Sequence, residues 1–479
     1  MKRAKRLYIL FGVLVAVCIA TVCVLQYDQK QEEIQTSGES ILAVDADTVS
    51  ALDWETETAS LAFHKDGSWL YNEDEAFPVS EEKISDLLAE FEDFRAAFVI
   101  ENVTDFAQYG LDEPVCTIDI TTSDTSYEIQ LGDYSSMDSQ RYVSIGDGNV
   151  YLAVSDPLDA FDLELSDMIA HDEVPSFDEV SSIRFDGPEA YDVVWQEYTE
   201  DNTYTLCSDD VYYKQDGDDL LPLDTSSVES YLSSISNTDF SNYVTYNVTD
   251  EELASYGLDD PEVTVTVEYT ELDSEDETPS TFTLSVSRDP EELAAQTEEE
   301  DASSAAASSS SSDESEEEEI TAYARINDSQ IVYQISGSSY EALMACTYDD
   351  LRHTEVLTAD FADVTGFDIS LEGQVYTITS KGSGDDKTFL FGDEELDISG
   401  LETALTAVNA DEFTDESPSQ KEELGMTVTL DSETHPKVQI EFYRYDGEHC
   451  LAVVDGTPFA LVPRSDVVDL IEAVNTIVL

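Results

Sequence analysis

Three well-separated stretches share one pattern of helix cap and apolar stripe: PVSEEKISDLLAEFEDF (78–94), PLDTSSVESYLSSISNTDF (222–240) and LDISGLETALTAVNADEF (396–413). Ser80, Asp224 and Asp397 each stand four positions before the first apolar residue of the stripe. A side-chain oxygen there accepts a hydrogen bond from an amide that the helix start leaves unpaired. Ile84, Leu87, Leu88 and Phe91 then follow the i, i+3, i+4, i+7 spacing, as do Val228, Tyr231, Leu232, Ile235 and Leu401, Ala404, Leu405, Val408. That spacing gives one buried face. A chain that writes the same one-sided helix three times is predicted to fold as three like units.

Strand signals surround each helix. The openings VSALDW (49–54), VSSIRF (180–185) and VTGFDI (364–369) align, and the turns IGDGNV, INDSQI and VVDGTP recur after each helix. Asp-Gly between apolar runs favours a hairpin, because the turn needs positive φ. Terminal helices are expected near 157–165, 339–346 and 465–476. The fold class is therefore α+β, with three tandem units of antiparallel sheet carrying helices on one side. The expected limits are 48–172, 178–352 and 360–479, following a juxtamembrane linker at 26–47.

The hexapeptides YGLDEP (Tyr109–Pro114) and YGLDDP (Tyr256–Pro261) raise a choice between duplicated ligand site and duplicated architecture. In the second copy Thr249 and Glu252 have capping-box spacing, Gly257 suits the left-handed residue after a helix, and Leu258 is placed to pack on Leu253. The first copy offers Thr104 as cap, Gly110 as the left-handed residue and Leu111 against Phe106. Pro114 and Pro261 disfavour helix at the preceding residue. Strands follow at Cys116, Ile118, Ile120 and at Val263, Val265, Val267. The third unit keeps Leu424-Gly425-Met426, and Val438, Ile440 and Phe442 hold the same distances from Pro436 as those strand residues do from their prolines. Tyr109, Gly110, Leu111, Pro114, Tyr256, Gly257, Leu258 and Pro261 are thus read as a helix stop and strand start.

The chain opens MKRAKR and continues without charge from Leu7 to Leu25. Nineteen residues span ~28 Å as a helix, about the hydrocarbon thickness of a bilayer. The flanking cations predict a cytoplasmic stub at 1–6, a transmembrane helix at 7–25 and an extracytoplasmic remainder; a cleaved signal peptide is the alternative. The whole chain holds 20 basic and 108 acidic residues, and four of the basic ones lie in the first six positions. So acidic an exported part excludes nucleic acid as a partner and any polybasic grip on anionic lipid. The run EEEDASSAAASSSSSDESEEEE (298–319) has little to bury, so 289–320 is expected to be a disordered loop insert within the second unit.

Chemistry is sparse. Cys116, Cys207, Cys346 and Cys450 lack Cys-x-x-Cys spacing, and an exported location permits disulfides, with three possible pairings. Cys116 matches Val263 of the next copy, which suits a buried free thiol; Cys207 is read as a strand residue. His64, His171, His353, His435 and His449 form no metal-binding motif, and His171 and His353 occupy equivalent positions between units. Carboxylates are so numerous that any spacing arises by chance. The expectation is no catalytic residue, no cofactor and no dedicated metal site, beyond weak non-specific binding of divalent cations.

The Tyr-Gly-Leu-Asp-x-Pro motif, with its capped helix and following hairpin, resembles the bacterial domain of unknown function 4340 family across roughly 49–479. The resemblance implies a single-pass envelope protein, and a possible partner in an ABC-type transporter permease. The expected function is a non-enzymatic, membrane-anchored binding or assembly module. An envelope hydrolase and a cell-surface adhesion or structural protein are the alternatives.

Overall fold

A computed structural model describes residues 38–199, 201, 203–271, 278–295, 320–382 and 387–478. The expected transmembrane helix at 7–25 and most of the acidic insert lie outside the described residues. Among the described residues no helix is long and apolar enough to cross a membrane.

Three nine-stranded sheets are built, and every strand pairing in them is antiparallel. The first holds β1 (Glu39–Leu42), β2 (Val49–Thr56), β3 (Ser60–Asp66), β4 (Ser68–Tyr71), β5 (Phe94–Ile100), β6 (Cys116–Thr122), β7 (Ser126–Ser135), β8 (Gln140–Ser144) and β9 (Val150–Ala153). The second holds β10 (Glu179–Asp186), β11 (Tyr191–Trp195), β12 (Tyr212–Asp216), β13 (Asp219–Pro222), β14 (Tyr243–Thr245), β15 (Val263–Thr270), β16 (Ser280–Arg288), β17 (Ala322–Ile326) and β18 (Val332–Ile335). The third holds β19 (Val364–Leu371), β20 (Gln374–Lys381), β21 (Thr388–Phe391), β22 (Glu394–Leu396), β23 (Glu412–Phe413), β24 (Glu422–Leu430), β25 (Lys437–Arg444), β26 (His449–Val454) and β27 (Thr457–Pro463).

Neighbour order in the second sheet is β13-β12-β11-β10-β15-β16-β17-β18-β14, and in the third β22-β21-β20-β19-β24-β25-β26-β27-β23. The two are the same topology. The first sheet, β1-β5-β9-β8-β7-β6-β2-β3-β4, repeats it with one exchange. Among the described residues it has no strand equivalent to β13 or β22, and β1 is added outside β5 at the opposite edge. In all three, a helix carries the chain across the sheet before the next strand joins the far side, at the edge in the second and third sheets and beside β1 in the first. These helices are α1 (Glu81–Ala89), α3 (Thr225–Asn237) and α6 (Ser399–Thr406). Later in the units come α2 (Leu158–Phe161), α4 (Gly337–Met344), α5 (Tyr348–Leu351) and α7 (Arg464–Val478).

The stripe residues account for the packing. Ile84, Leu87, Leu88 and Phe91 are buried, as are Val228, Tyr231, Leu232 and Ile235. In the third unit Leu401, Leu405 and Val408 join Val467, Leu470 and Val474 of α7 in one core with alternate residues of β19, β24, β25, β26 and β27. Ser80 accepts from the Lys83 amide and Asp224 from the Ser226 and Ser227 amides. Asp397 stands two residues before the helix, whose N-cap is Ile398, and still accepts from the Ser399 amide at 3.1 Å.

The aligned openings share a distortion. Pairing to the central neighbour shifts by one residue at Val49/Ala51, Val180/Ser182 and Val364/Gly366, so a β-bulge falls at the same place in each unit. The bulged residue always carries a hydroxyl that donates across the strands: Ser50 to the Thr121 carbonyl, Ser181 to Glu268, Thr365 to Thr429, at 3.1–3.2 Å. The second letter of VSALDW, VSSIRF and VTGFDI thus has a physical use.

Several expectations need correction. The first unit begins at Glu39, inside the segment expected as linker, because β1 pairs with β5 and buries Leu42 and Val44. Leu424-Gly425-Met426 is not a helix stop but lies within β24. Met426 and Val428 face Ile369 and Phe367, as Val265 and Val267 face Phe185 and Ile183, so the counterpart of the Cys116 and Val263 strands is β24 and not the Val438 strand. The prolines had aligned neighbouring strands. Residues 290–295 of the expected disordered insert are helical, with Asp289 accepting from the Glu291 and Glu292 amides. The flanking strands β16 and β17 pair directly, Leu284 with Ile326 through Arg288 with Ala322, so the insert interrupts one unit. Finally, the chain forms two compact bodies, ending at His171 and beginning at Asp172, and the second contains both the second and third sheets.

Candidate functional site

The repeated hexapeptides build corners. Gly110 (φ 69°) and Gly257 (φ 70°) end short 3-10 turns in the left-handed region. The Leu258 amide donates to the Leu253 carbonyl at 3.0 Å, and the Leu111 amide to Phe106 at 3.2 Å. These five-residue closures belong to a Schellman ending. Leu253 and Leu258 share a buried cluster with Val248 and Val332. Glu252 reaches back to the Thr249 amide at 3.0 Å. Thr104 is not a cap: the first turn starts only at Ala107, after Phe106, with no side-chain cap.

Both motif tyrosines meet an equivalent partner, Tyr109 on Tyr142 of β8 and Tyr256 on Tyr323 of β17, with ring centroids 5.0 and 5.1 Å apart. A Cβ on Gly110 would lie 2.8 Å from the Asp133 backbone nitrogen, and one on Gly257 2.6 Å from Ser287 Oγ. Asp112, Glu113, Asp259 and Asp260 are exposed, and Pro114 and Pro261 half-buried. The motif residues therefore close a turn against interior strands, β7 and β8 in the first sheet and β16 and β17 in the second, and their acids are exposed to water.

Side chains converge instead among the cysteines and histidines that stand isolated in the sequence. Cys207 and Asp210 stand on the loop between β11 and β12, and His353 lies just after α5. Their ligand atoms all fall within 4.8 Å of one another. Cys207 is not in a strand, contrary to expectation.

Both sides of this cluster are held by the fold. Thr347 and Asp350 form a capping box at the start of α5, and the Leu351 carbonyl accepts from the Asp224 amide at 2.9 Å. Beyond His353 the chain is stitched to the third unit, with the Val356 amide on the Val408 carbonyl and the Ala410 amide on the Thr354 carbonyl. Arg352 lays its guanidinium over Phe413 (3.8 Å to the centroid) and near Phe459 and Tyr348. On the loop side, Tyr213 donates to the Asp210 carbonyl at 3.0 Å, Thr225 bridges Asp209 and Val211, and Leu206 packs into the core of the third unit.

Within the cluster Asp210 is only 1% exposed. Its Oδ1 meets His353 Nε2 at 2.8 Å, and its Oδ2 accepts from the Thr205 hydroxyl at 2.5 Å. Thr205 Oγ1 also accepts from the Cys207 amide at 3.0 Å. The other ring nitrogen of His353 faces Glu355 at 3.6 Å. Burial opposes a charge on His353, but the hydrogen bonds to Asp210 and Glu355 outweigh it and push the imidazole up to about 9. Burial also pushes the Cys207 thiol up to about 11. That arrangement makes no nucleophile, since an activated thiol needs a lowered pKa and a base aimed at it. Here His353 Nε2 and the Cys207 thiol both address the same carboxylate.

Cys116, Cys346 and Cys450 are buried free thiols, and no disulfide joins the four described cysteines. His353 and Asp210 are 143 residues apart in the chain, so no local motif announced the cluster. The signal available was the spacing Cys-Ser-Asp-Asp (207–210) beside a histidine at a unit junction.

A family model described as Domain of unknown function (DUF4340) matches residues 69–205 and 214–428. The chain belongs to the DUF4340 family. No curated protein and no solved structure matches it. Each matched DUF4340 segment starts in the outer strands of one sheet and ends in the next, so the match is out of phase with the sheets. The break between the two DUF4340 matches contains Cys207 and Asp210, whereas both tyrosine–glycine corners lie inside them.

Proposed function

We propose that this DUF4340 chain is a membrane-anchored, extracytoplasmic binding or assembly module that serves as an accessory subunit of an ABC-type transporter complex. The observation that carries the reading is the use made of the repeated residues: caps and bulge hydroxyls build all three sheets, tyrosine corners the first two, and the corner acids are exposed to water. A module whose sequence is committed to presenting surface suits recognition of another protein. The uncharged run Leu7–Leu25 behind four cations supports a tether with its bulk outside the cytoplasm. The transporter partner is drawn from the family resemblance.

The test is affinity isolation of the full-length chain from detergent-solubilised membranes. The expected result is co-isolation of a permease together with its ATPase. Recovery of the chain without any membrane protein overturns the reading, and turnover of wall or peptide substrates by the purified chain would favour the hydrolase alternative.

A further inference from the structure

We propose that Cys207, Asp210 and His353 bind a single borderline divalent cation, with Zn²⁺ the best fit, and that the bound ion fastens the second unit to the third. The proposal is independent of the transporter reading.

The donor set is one sulfur, one carboxylate oxygen and one imidazole nitrogen, all within 4.8 Å of one another. Hard cations such as Ca²⁺ and Mg²⁺ want six or more oxygens, whereas mixed sulfur and nitrogen ligands suit Zn²⁺. Three protein ligands leave the fourth tetrahedral position to water. Asp210 already pairs with both His353 Nε2 and the Cys207 thiol, so a cation entering among the three would replace the protons of those two contacts.

The surroundings are those a metal site needs. A metal-bound histidine usually directs its second nitrogen to a carboxylate, which fixes ring orientation. Glu355 occupies that place on His353 Nδ1, 3.6 Å away. The second oxygen of Asp210 is held by Thr205, whose Oγ1 also anchors the Cys207 amide. The ligands are therefore positioned by side chains that do not themselves ligate. Since Cys207 and Asp210 come from the loop of the second unit and His353 from the junction stitched to the third, one ion would bridge both. The surplus of acidic residues draws cations to the surface but supplies no sulfur.

The experiment uses the full-length chain, stripped with chelator and titrated with Co²⁺, then with Zn²⁺ in competition. The expected result is one equivalent of Co²⁺ giving a thiolate-to-cobalt charge-transfer band and the strong visible bands of a four-coordinate ion. Zn²⁺ should abolish these bands stoichiometrically and raise the melting temperature. Cys207→Ser should lose the charge-transfer band, and Glu355→Gln should keep it while binding Zn²⁺ about tenfold more weakly. Circular dichroism of each variant confirms folding; if Cys207→Ser fails to fold, the band and the Zn²⁺-dependent melting shift of the unaltered chain decide. Only weak multi-equivalent binding without a sulfur band, or a band that survives in folded Cys207→Ser, overturns the proposal. If Cu²⁺ displaces Co²⁺ but Zn²⁺ does not, the assignment to Zn²⁺ fails.

Discussion

His353 Nε2 lies 2.8 Å from Asp210 Oδ1, and that one contact joins the loop of the second sheet to the strap leading into the third. With metal removed, the contact is a pairing of imidazolium and carboxylate. The folded imidazole sits at about 9 against its ordinary 6.5, so protonation favours the folded state. The stabilisation is complete below about pH 6.5 and is lost as pH rises through about 9, amounting to at most roughly 3 kcal/mol. Chelator-treated protein should therefore show a falling urea midpoint between pH 7 and 9.5. His353→Gln should flatten that slope; an unchanged slope in the variant would assign the pH dependence elsewhere.

Gly110 and Gly257 hold positive φ, and both would place a Cβ in contact with an interior strand, β7 or β16. Gly110→Ala meets the Asp133 carboxyl at 2.7 Å and the Asp133 backbone nitrogen at 2.8 Å, whereas the one clash of Gly257→Ala under 3.0 Å is with the movable hydroxyl of Ser287. Each is expected to destabilise by about 1–3 kcal/mol, with Gly110→Ala the more severe. Equilibrium denaturation measures this, and equal or negligible losses would contradict the corner geometry.

Arg352 stacks 3.8 Å above the centroid of Phe413. A planar guanidinium does this better than an ammonium, so Arg352→Lys should cost about 1 kcal/mol. A double-mutant cycle with Phe413→Leu should return a coupling of about 0.5–2 kcal/mol. Additive losses would mean the ring and the cation act separately.

Asp53 faces Asp119 across β2 and β6, and Asp119 faces Glu128 across β6 and β7. Burial first, and then the like charge of Asp119, raise the Asp53 carboxyl above its ordinary value. A carboxyl raised in the folded state destabilises when ionised, so mild acidification through its folded titration range should relieve the strain of this row. Asp53→Asn should add about 0.5 kcal/mol at neutral pH, and that gain should vanish in acid. A loss of stability at neutral pH would show that the carboxylate is needed.

The thiols at Cys116 and Cys450 are pushed by burial up to about 12, and those at Cys207 and Cys346 to about 11. Native protein at pH 8 should label slowly with maleimide at these four positions, Cys207 first because it alone is half-exposed. Mass mapping of the alkylated sites reads the order, and early labelling of Cys116 would reveal an opening of the first sheet.

Much of this fold was legible because its devices are local. A cap, a stripe at helical spacing and a glycine after a turn each act within a few residues, so Ser80 and Gly257 could be assigned from neighbouring letters. The third unit was misaligned because proline stands before β25 there but before β6 and β15 elsewhere, and nothing local distinguishes adjacent strands of equal alternation. The edge strand β1 was missed because four residues with one deeply placed side chain, Leu42, carry no periodicity. The Cys207, Asp210 and His353 cluster depends on two segments meeting at a junction, and only the fold brings them together.

The direct pairing of β16 with β17 brings both ends of the acidic stretch 296–319 back to adjacent strands of one sheet. A protease that severed the chain there would leave a nicked molecule whose halves still share a ladder of backbone bonds and a common interior. Denaturing electrophoresis would then report two fragments where size exclusion reports one particle, so apparent degradation of this protein need not signal its inactivation.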